Sequence, residues 1–291
     1  MPRVESLPGL AIIEEILSTA ITTAFVQDSI PISCLVCGPS GAGKSKTVLR
    51  LQGPTLHRTD DLTSAGLYEI LRNDPMNKIR HIVLGDFNPV LSHKSSVSSL
   101  TIASMLSVMS DGTARIDDGR RTKEVKHSTV AFLTACTTEM FSRNLNKWAE
   151  LGIPRRFLTL FYRYSLETEL AGLDLISKGK ITLGSLEPTI FKPLKPRAVI
   201  IPPAIESRLR EIAATLAENL GYRSVWKKKG NVHYKEMQPN KSELRFTPLL
   251  TLQTMIKAHA MMRKKFRADE TDLKFIQKMM AFTNPALPGS V

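Results

Sequence analysis

Gly38-Pro39-Ser40-Gly41-Ala42-Gly43-Lys44-Ser45 has the spacing G-x-x-x-x-G-K-S, the pattern of a phosphate-binding (Walker A) loop. Its surroundings agree with that reading. Residues 30–37 are a short apolar run, which predicts a buried strand, and residues 44–51 predict a helix. A strand that enters a glycine-rich turn and leaves as a helix aims backbone N–H groups and the positive helix end at one point, where an anion is held. In such a loop the lysine, here Lys44, reaches the β- and γ-phosphates, and the hydroxyl of Ser45 ligates Mg²⁺. ATP and Mg²⁺ are therefore the expected cofactors.

Outward from the loop, apolar residues at helical spacing (Ile12, Ile13, Ile16, Leu17, Ala20, Ile21) predict a helix over 9–27. Further helices are expected at 65–72 and 95–110, and strands at 79–85, 130–135 and 157–164. Two short segments flank Asp118-Gly119, a strong hairpin signal, giving a hairpin over 113–126. Strands that are apolar throughout and alternate with helices imply an α/β fold, a parallel sheet covered on both faces. The strand at 79–85 runs into Gly85-Asp86-Phe87-Asn88. Its Asp86 is the one acid placed to organise a metal shell or to polarise an attacking water.

Composition narrows the class. At 42% hydrophobic, 23% charged and mean hydropathy −0.08, the chain can build a core and is neither disordered nor a membrane bundle. No run reaches the roughly 18 apolar residues of a membrane helix. Residues 10–25 carry Glu14 and Glu15 and lack the basic start of a secretory signal. Three cysteines exclude a disulfide framework and suit a reducing compartment, so a cytoplasmic or nucleoid-associated protein is expected (in a host cytoplasm, if viral). Cys34 and Cys37 spell C-x-x-C, but along a strand they point to opposite faces and read as buried thiols. His93 and His259 have no metal-ligand spacing and read as structural.

The charge is +13, and it is uneven. Residues 1–191 hold 21 Lys+Arg against 19 Asp+Glu; residues 192–291 hold 19 against 8. A basic last third suits a polyanionic partner, or else a solubilised helical unit. Prolines 188, 193, 196, 202 and 203 crowd the stretch between, giving an expected division into a nucleotide-binding core at 1–180, a proline-rich linker at 181–203 and a mainly helical unit at 204–291. In that unit Ile205, Leu209, Ile212, Leu216 and Leu220 share one helical face. Leu252, Met255, Ile256, His259 and Phe266 share another, and Asp269 caps a last helix bearing Leu273, Ile276 and Met279. Trp226, Lys227, Lys228, Lys229 and Gly230-Asn231 lie in a stretch that reads as a small β-wing.

The order of these pieces resembles the AAA+ ATPases, well over 10–165 and loosely over 204–282. After the Asp86 strand come a helix, a hairpin, and Thr129-Val130-Ala131-Phe132-Leu133-Thr134-Ala135-Cys136-Thr137, which is similar to the family's sensor-1 strand. The resemblance makes Thr137 the polar residue near the γ-phosphate, with Thr134 the alternative. Gly152-Ile153-Pro154-Arg155-Arg156-Phe157 is similar to the arginine-finger segment, which implies that Arg156 reaches a neighbouring subunit's nucleotide. The hairpin before sensor 1, and the lid-like helices at 252–280, resemble the minichromosome-maintenance helicases. Two departures stand out. The family's Asp-Glu is Asp86-Phe87 here, and Leu249-Leu250 stand near the expected sensor-2 arginine, leaving Arg245 as a substitute.

The resemblance implies a homo-oligomer, a hexameric ring or spiral, that hydrolyses ATP at subunit interfaces and acts on single-stranded or duplex DNA as a helicase or translocase. Hairpin cations Arg115, Arg120, Arg121, Lys123 and Lys126, with Lys227, Lys228 and Lys229, are the expected DNA contacts. A helicase loader, a transposition regulator, a MoxR-type chaperone and a slow-hydrolysing DNA-binding scaffold are the alternatives. Other replication or mobile-element proteins are expected as partners, and no membrane.

Overall fold

The structure, a computed structural model, describes residues 9–117, 122–178, 188–220, 222–229, 232–239, 246–285 and 288–291. In chain order, α1 (Ala11–Thr22) is followed by β1 (Ser33–Gly38), α2 (Lys44–Leu49), β2 (Leu51–Gln52), β3 (Leu56–Thr59), α3 (Ser64–Arg72), β4 (His81–Leu84), α4 (Asn88–Ser92) and α5 (Ser95–Asp111). Then come β5 (Thr113–Asp117), β6 (Thr122–Lys126), β7 (Ala131–Thr137), α6 (Thr138–Leu151), α7 (Ile153–Arg156), β8 (Phe157–Arg163) and α8 (Leu166–Ser177). The rest comprises β9 (Thr189–Ile190), α9 (Pro203–Leu220), β10 (Tyr222–Lys229), β11 (Val232–Pro239), α10 (Phe246–Met262), α11 (Glu270–Met280) and β12 (Gly289–Ser290).

Six strands form one sheet in the order β12-β8-β1-β7-β4-β3, and every pair in it is parallel. The period of two along β1 divides its side chains between two cores. Cys34 and Val36 join Leu133, Leu158 and Leu160 on the face covered by α1, α9, α10 and α11. Leu35 and Cys37 join Phe132, Phe157 and Phe161 on the face covered by α3, α5 and α6. Both faces are buried, as continuous apolar strands require. The C-terminal helices thus share one core with α1, and β12 adds a strand beside β8.

The hairpin is present as β5 paired antiparallel with β6, and the wing as β10 with β11. Their turns, 118–121 and 230–231, lie outside the described residues, and so does Arg245. Asp269 does cap α11, in a reciprocal box with Asp272. Some expectations fail. The helix after the loop stops at Leu49, because Leu51 turns out to pair with Thr189. The edge strand β3 went unseen, since Leu56-His57-Arg58-Thr59 is half-exposed and has no apolar run. Phe266 is not on the face of α10: that helix ends at Met262, and Phe266 is 62% exposed beyond it. Among the described residues no helix is long and apolar enough to cross a membrane.

Candidate phosphate-binding site

The loop at 38–45 leaves the C-terminal end of β1 and enters α2. Gly41 and Gly43 take φ of 75° and 76°, left-handed values that side chains resist, and the turn into the helix needs both. A Cβ at Gly41 would meet nothing within 4 Å, so the loop is open on the side a ligand would take. Pro39, Ser40 and Gly41 are exposed, while Ala42 is buried. Lys44 is 7% exposed and donates from Nζ to the Pro39 carbonyl at 2.5 Å, across the mouth of its own loop. Burial holds its ammonium below the usual lysine range, and Cys136, Cys37 and Asp86 oppose that shift. Ser45, half-buried, begins the first turn of α2.

Sheet order decides what stands beside the loop. β7 lies between β1 and β4, so the three strands end in a row. Register pairs Gly38 with Thr137. Thr137 caps α6, its Oγ1 accepting from Met140 N at 3.1 Å. The alternative Thr134 is fully buried within β7, opposite Leu35, away from that edge. Asp86 follows β4, is half-buried, and accepts from Asn88 N at 2.9 Å. Phe87 N donates to Ala135 O at 2.8 Å, which fixes the Asp86 turn against β7. The electrostatic pull of Asp86 on Lys44 marks their proximity. Lys44, Ser45, Asp86 and Thr137 therefore share one edge. A cation, two hydroxyls and a carboxylate around an open backbone cradle suit a polyphosphate with a divalent metal.

Arg156 is elsewhere. It ends α7 just before β8, and β8 pairs Phe157 with Ser33 at the start of β1. Five residues at about 3.3 Å each separate that end from the loop, about 16 Å. Arg156 is exposed and its Nε donates to Ser110 Oγ at 3.1 Å, three residues before the hairpin begins. The hairpin base and Arg156 thus share the edge opposite the loop. On the hairpin, Arg115 pairs with Glu124 at 2.6 Å and Lys126 lies 3.9 Å from the same carboxyl group, so both cations are partly neutralised; Lys123 is exposed. Arg120 and Arg121 lie outside the described residues. Lys227, Lys228 and Lys229 follow one another along β10.

Several supporting residues escaped the sequence reading. Tyr162 Oη and Tyr164 Oη both donate to the Ala42 carbonyl, at 2.6 and 3.0 Å, and clamp the loop from behind. Gly38 is required for this, because a Cβ there would lie 3.0 Å from the Tyr162 ring. Arg50, at the end of α2, donates to Glu14 of α1 at 2.5 Å, and burial raises the Glu14 carboxyl. Asp61, just past β3, pairs with His93 at 2.9 Å, so His93 is structural. His259 is too: its Nδ1 donates to the Asp272 carboxylate at 2.7 Å, and its ring stacks on Phe275. A tyrosine at the end of an otherwise aliphatic strand was the one available signal for the clamp. Cys37 and Cys136 face each other at 3.5 Å, and burial pushes the thiols of Cys34 and Cys37 well up. Among the described residues no group of three His, Cys, Asp or Glu could hold a metal by itself.

No protein-family model and no curated protein matches the chain. Fold and site together define an α/β protein whose parallel sheet carries, at the C-terminal ends of its strands, a glycine-rich turn compatible with a phosphate loop.

Proposed function

We propose that this chain is an ATPase of the AAA+ kind, assembled as a ring or spiral and acting on DNA as a helicase or translocase. One observation carries the reading: the loop and Arg156 occupy opposite edges of the same sheet. At about 16 Å, Arg156 is out of reach of its own loop but presented to a neighbour stacked edge to edge. The site is then completed between subunits.

In that arrangement Lys44 leaves the Pro39 carbonyl for the β- and γ-phosphates, and the N–H groups of residues 41–45 hold the β-phosphate. Bound Mg²⁺ would neutralise charge on the phosphate oxygens, with Ser45 and Asp86 as its holders. Thr137 is positioned to orient groups at the γ-phosphate while its oxygen still caps α6. The neighbour's Arg156 supplies the last positive charge. In this reading Lys123 of β6 and the lysines of β10 are the DNA contacts.

A second reading, an ATP-dependent DNA-binding scaffold that hydrolyses slowly, is favoured by Phe87. It is 1% exposed and packs in the core, so no second carboxylate accompanies Asp86. ATP turnover with and without single-stranded and duplex DNA separates the two. Mixing Arg156→Ala with Lys44→Ala subunits tests the shared site, because each donates what the other lacks. A finger contributes roughly 10³–10⁵ in rate, so partial recovery in mixtures is easily seen. Normal turnover by Arg156→Ala alone, with no recovery in any mixture, overturns the interface model.

A further inference from the structure

We infer that Phe266 and the cations around it form a platform for single-stranded nucleic acid, with one base stacked on the ring and its flanking phosphates on Arg197, Lys264 and Arg267. The proposal rests on the nucleic-acid part of the reading above, and it needs no ATP hydrolysis.

The ring is placed by backbone. Helix α10 stops in a paired C-terminal turn, Lys265 N donating to Ala260 O at 2.9 Å and Lys264 N to Met261 O at 2.8 Å. The left-handed residue of this turn, normally glycine, is Lys264 at φ 60°. A side chain is held there at a conformational cost, in a stretch where four consecutive residues, Lys264 to Arg267, are exposed. Two further bonds keep the stretch from fraying: Ile200 N donates to Phe266 O and Ala268 N to Ile200 O, both at 2.9 Å. The segment containing Ile200 is pinned in turn to the chain just after α1, where Arg197 N donates to Phe25 O and Gln27 N to Arg197 O. A large aromatic ring has been fixed outside the core, 62% exposed, beside Ile200 at 65%.

Charge decides what the ring is for. The Arg197 guanidinium lies over one face of Phe266, 5.2 Å from its centroid. A ring backed by a cation is a strong stacking partner for a nucleobase, and base–aromatic stacking tolerates any sequence. The nearby acids are already engaged: Asp269 with Arg263 and Lys265, Asp272 with Arg263 and His259, Glu270 with Arg208. Arg197, Lys264 and Arg267 make no ion pair among the described residues, which leaves three exposed cations around one exposed ring. A face for another protein would not need so many unneutralised cations around its apolar centre. An unpaired strand needs this combination of ring and charge, whereas a duplex keeps its base faces stacked internally.

Fluorescence anisotropy with a labelled oligothymidine, over a series of salt concentrations, tests the platform in the full chain. Phe266→Ala should weaken binding roughly 5- to 150-fold, what one stacked base contributes, without changing the salt slope. Phe266→Trp should keep the affinity and gain a fluorescence signal that oligothymidine quenches. Lys264→Ala with Arg267→Ala should flatten the log–log salt slope by about 1.4. Because the ring is largely exposed, these variants should melt with the wild type. If the wild type binds and Phe266→Ala binds as tightly, the platform is wrong while the DNA reading stands. Altered sedimentation with unaltered binding in Phe266→Ala would make the patch a protein interface and also overturn it. A wild type that retains no oligothymidine at low salt overturns both.

Discussion

The loop edge of the sheet and the basic face beside α10 are both proposed to hold phosphate, yet they are built by opposite means. At the loop edge the key groups are buried and cross-braced: Lys44 on Pro39 O, two tyrosines on Ala42 O, Arg50 on Glu14. On the basic face the cations stand in solvent, and backbone bonds fix the turn that carries them. The difference teaches where each kind of affinity comes from. A buried cradle binds one anion strongly because its dipoles are already aimed and its surroundings are dry. An exposed cation contributes little singly and acts through the number of counterions it releases. Substitutions at the first should therefore change affinity and stability together; substitutions at the second should change salt dependence and leave the fold alone.

The largest effect should follow loss of the buried cation. Lys44→Ala removes the group that meets the β- and γ-phosphates, at a cost of about 3–5 kcal/mol in nucleotide binding. Titration with a fluorescent ATP analogue should show affinity down at least a hundredfold, and an unchanged affinity would mean that the loop is not the anchor.

Next comes the acid limit of the buried side. His81, at the start of β4, is fully buried, and burial lowers its pKa to about 4. The unfolded chain takes up that proton near pH 6.5, so stability falls as the pH drops below 6.5 and stops falling near pH 4. The total is about 3 kcal/mol by linkage. Denaturant titrations from pH 7 to pH 4 should show this slope, and His81→Leu should flatten it. An equally steep slope in the variant would assign the acid limb to other groups.

Smaller again is the clamp. Tyr162→Phe with Tyr164→Phe leaves the Ala42 carbonyl without its two donors, a loss of about 1–3 kcal/mol in stability and a weaker hold on nucleotide. Thermal melts with and without ATP should both shift. If only the ligand-free melt moved, the tyrosines would be a packing feature and not a support of the loop.

The smallest expected effect concerns β10: if its lysines meet DNA as proposed, replacing Lys227, Lys228 and Lys229 with alanine should flatten the single-strand salt slope by up to about 2 and leave the melting temperature unchanged. A melting temperature lowered by several degrees would blur the contrast, placing these lysines with the structural cations.

How much of this was legible depends on how far apart the partners are in the chain. The spacing of Gly38, Gly43, Lys44 and Ser45 specifies a turn through backbone conformation alone, so the loop could be read directly. The same holds for the alternation of strands and helices, the Asp86 turn, the hairpin around Asp118-Gly119, and the Asp269 cap, all set within a few residues. Strands β3 and β12 escaped, since their pairing comes from neighbours and not from an apolar run of their own; helix α6 escaped although Phe141, Leu145 and Trp148 recur at helical spacing. Phe266 was misread because its position matches the period of α10, while the helix had already ended at Met262 and Lys264 had turned the chain away.

By itself, then, the chain's sequence determined an α/β fold, a glycine-rich turn of phosphate-loop spacing and a basic last third, because each is written in local spacing or in composition. Tertiary structure alone decided the strand order that sets Thr137 beside Gly38 and Asp86 near Lys44. It also brought Tyr162 to Ala42 across 120 positions, carried Arg156 and the hairpin base to the opposite edge, and left Phe266 outside under Arg197. Those contacts depend on which strands lie side by side and where each helix stops. They are settled by burying apolar faces from distant segments together, which no short stretch of residues encodes.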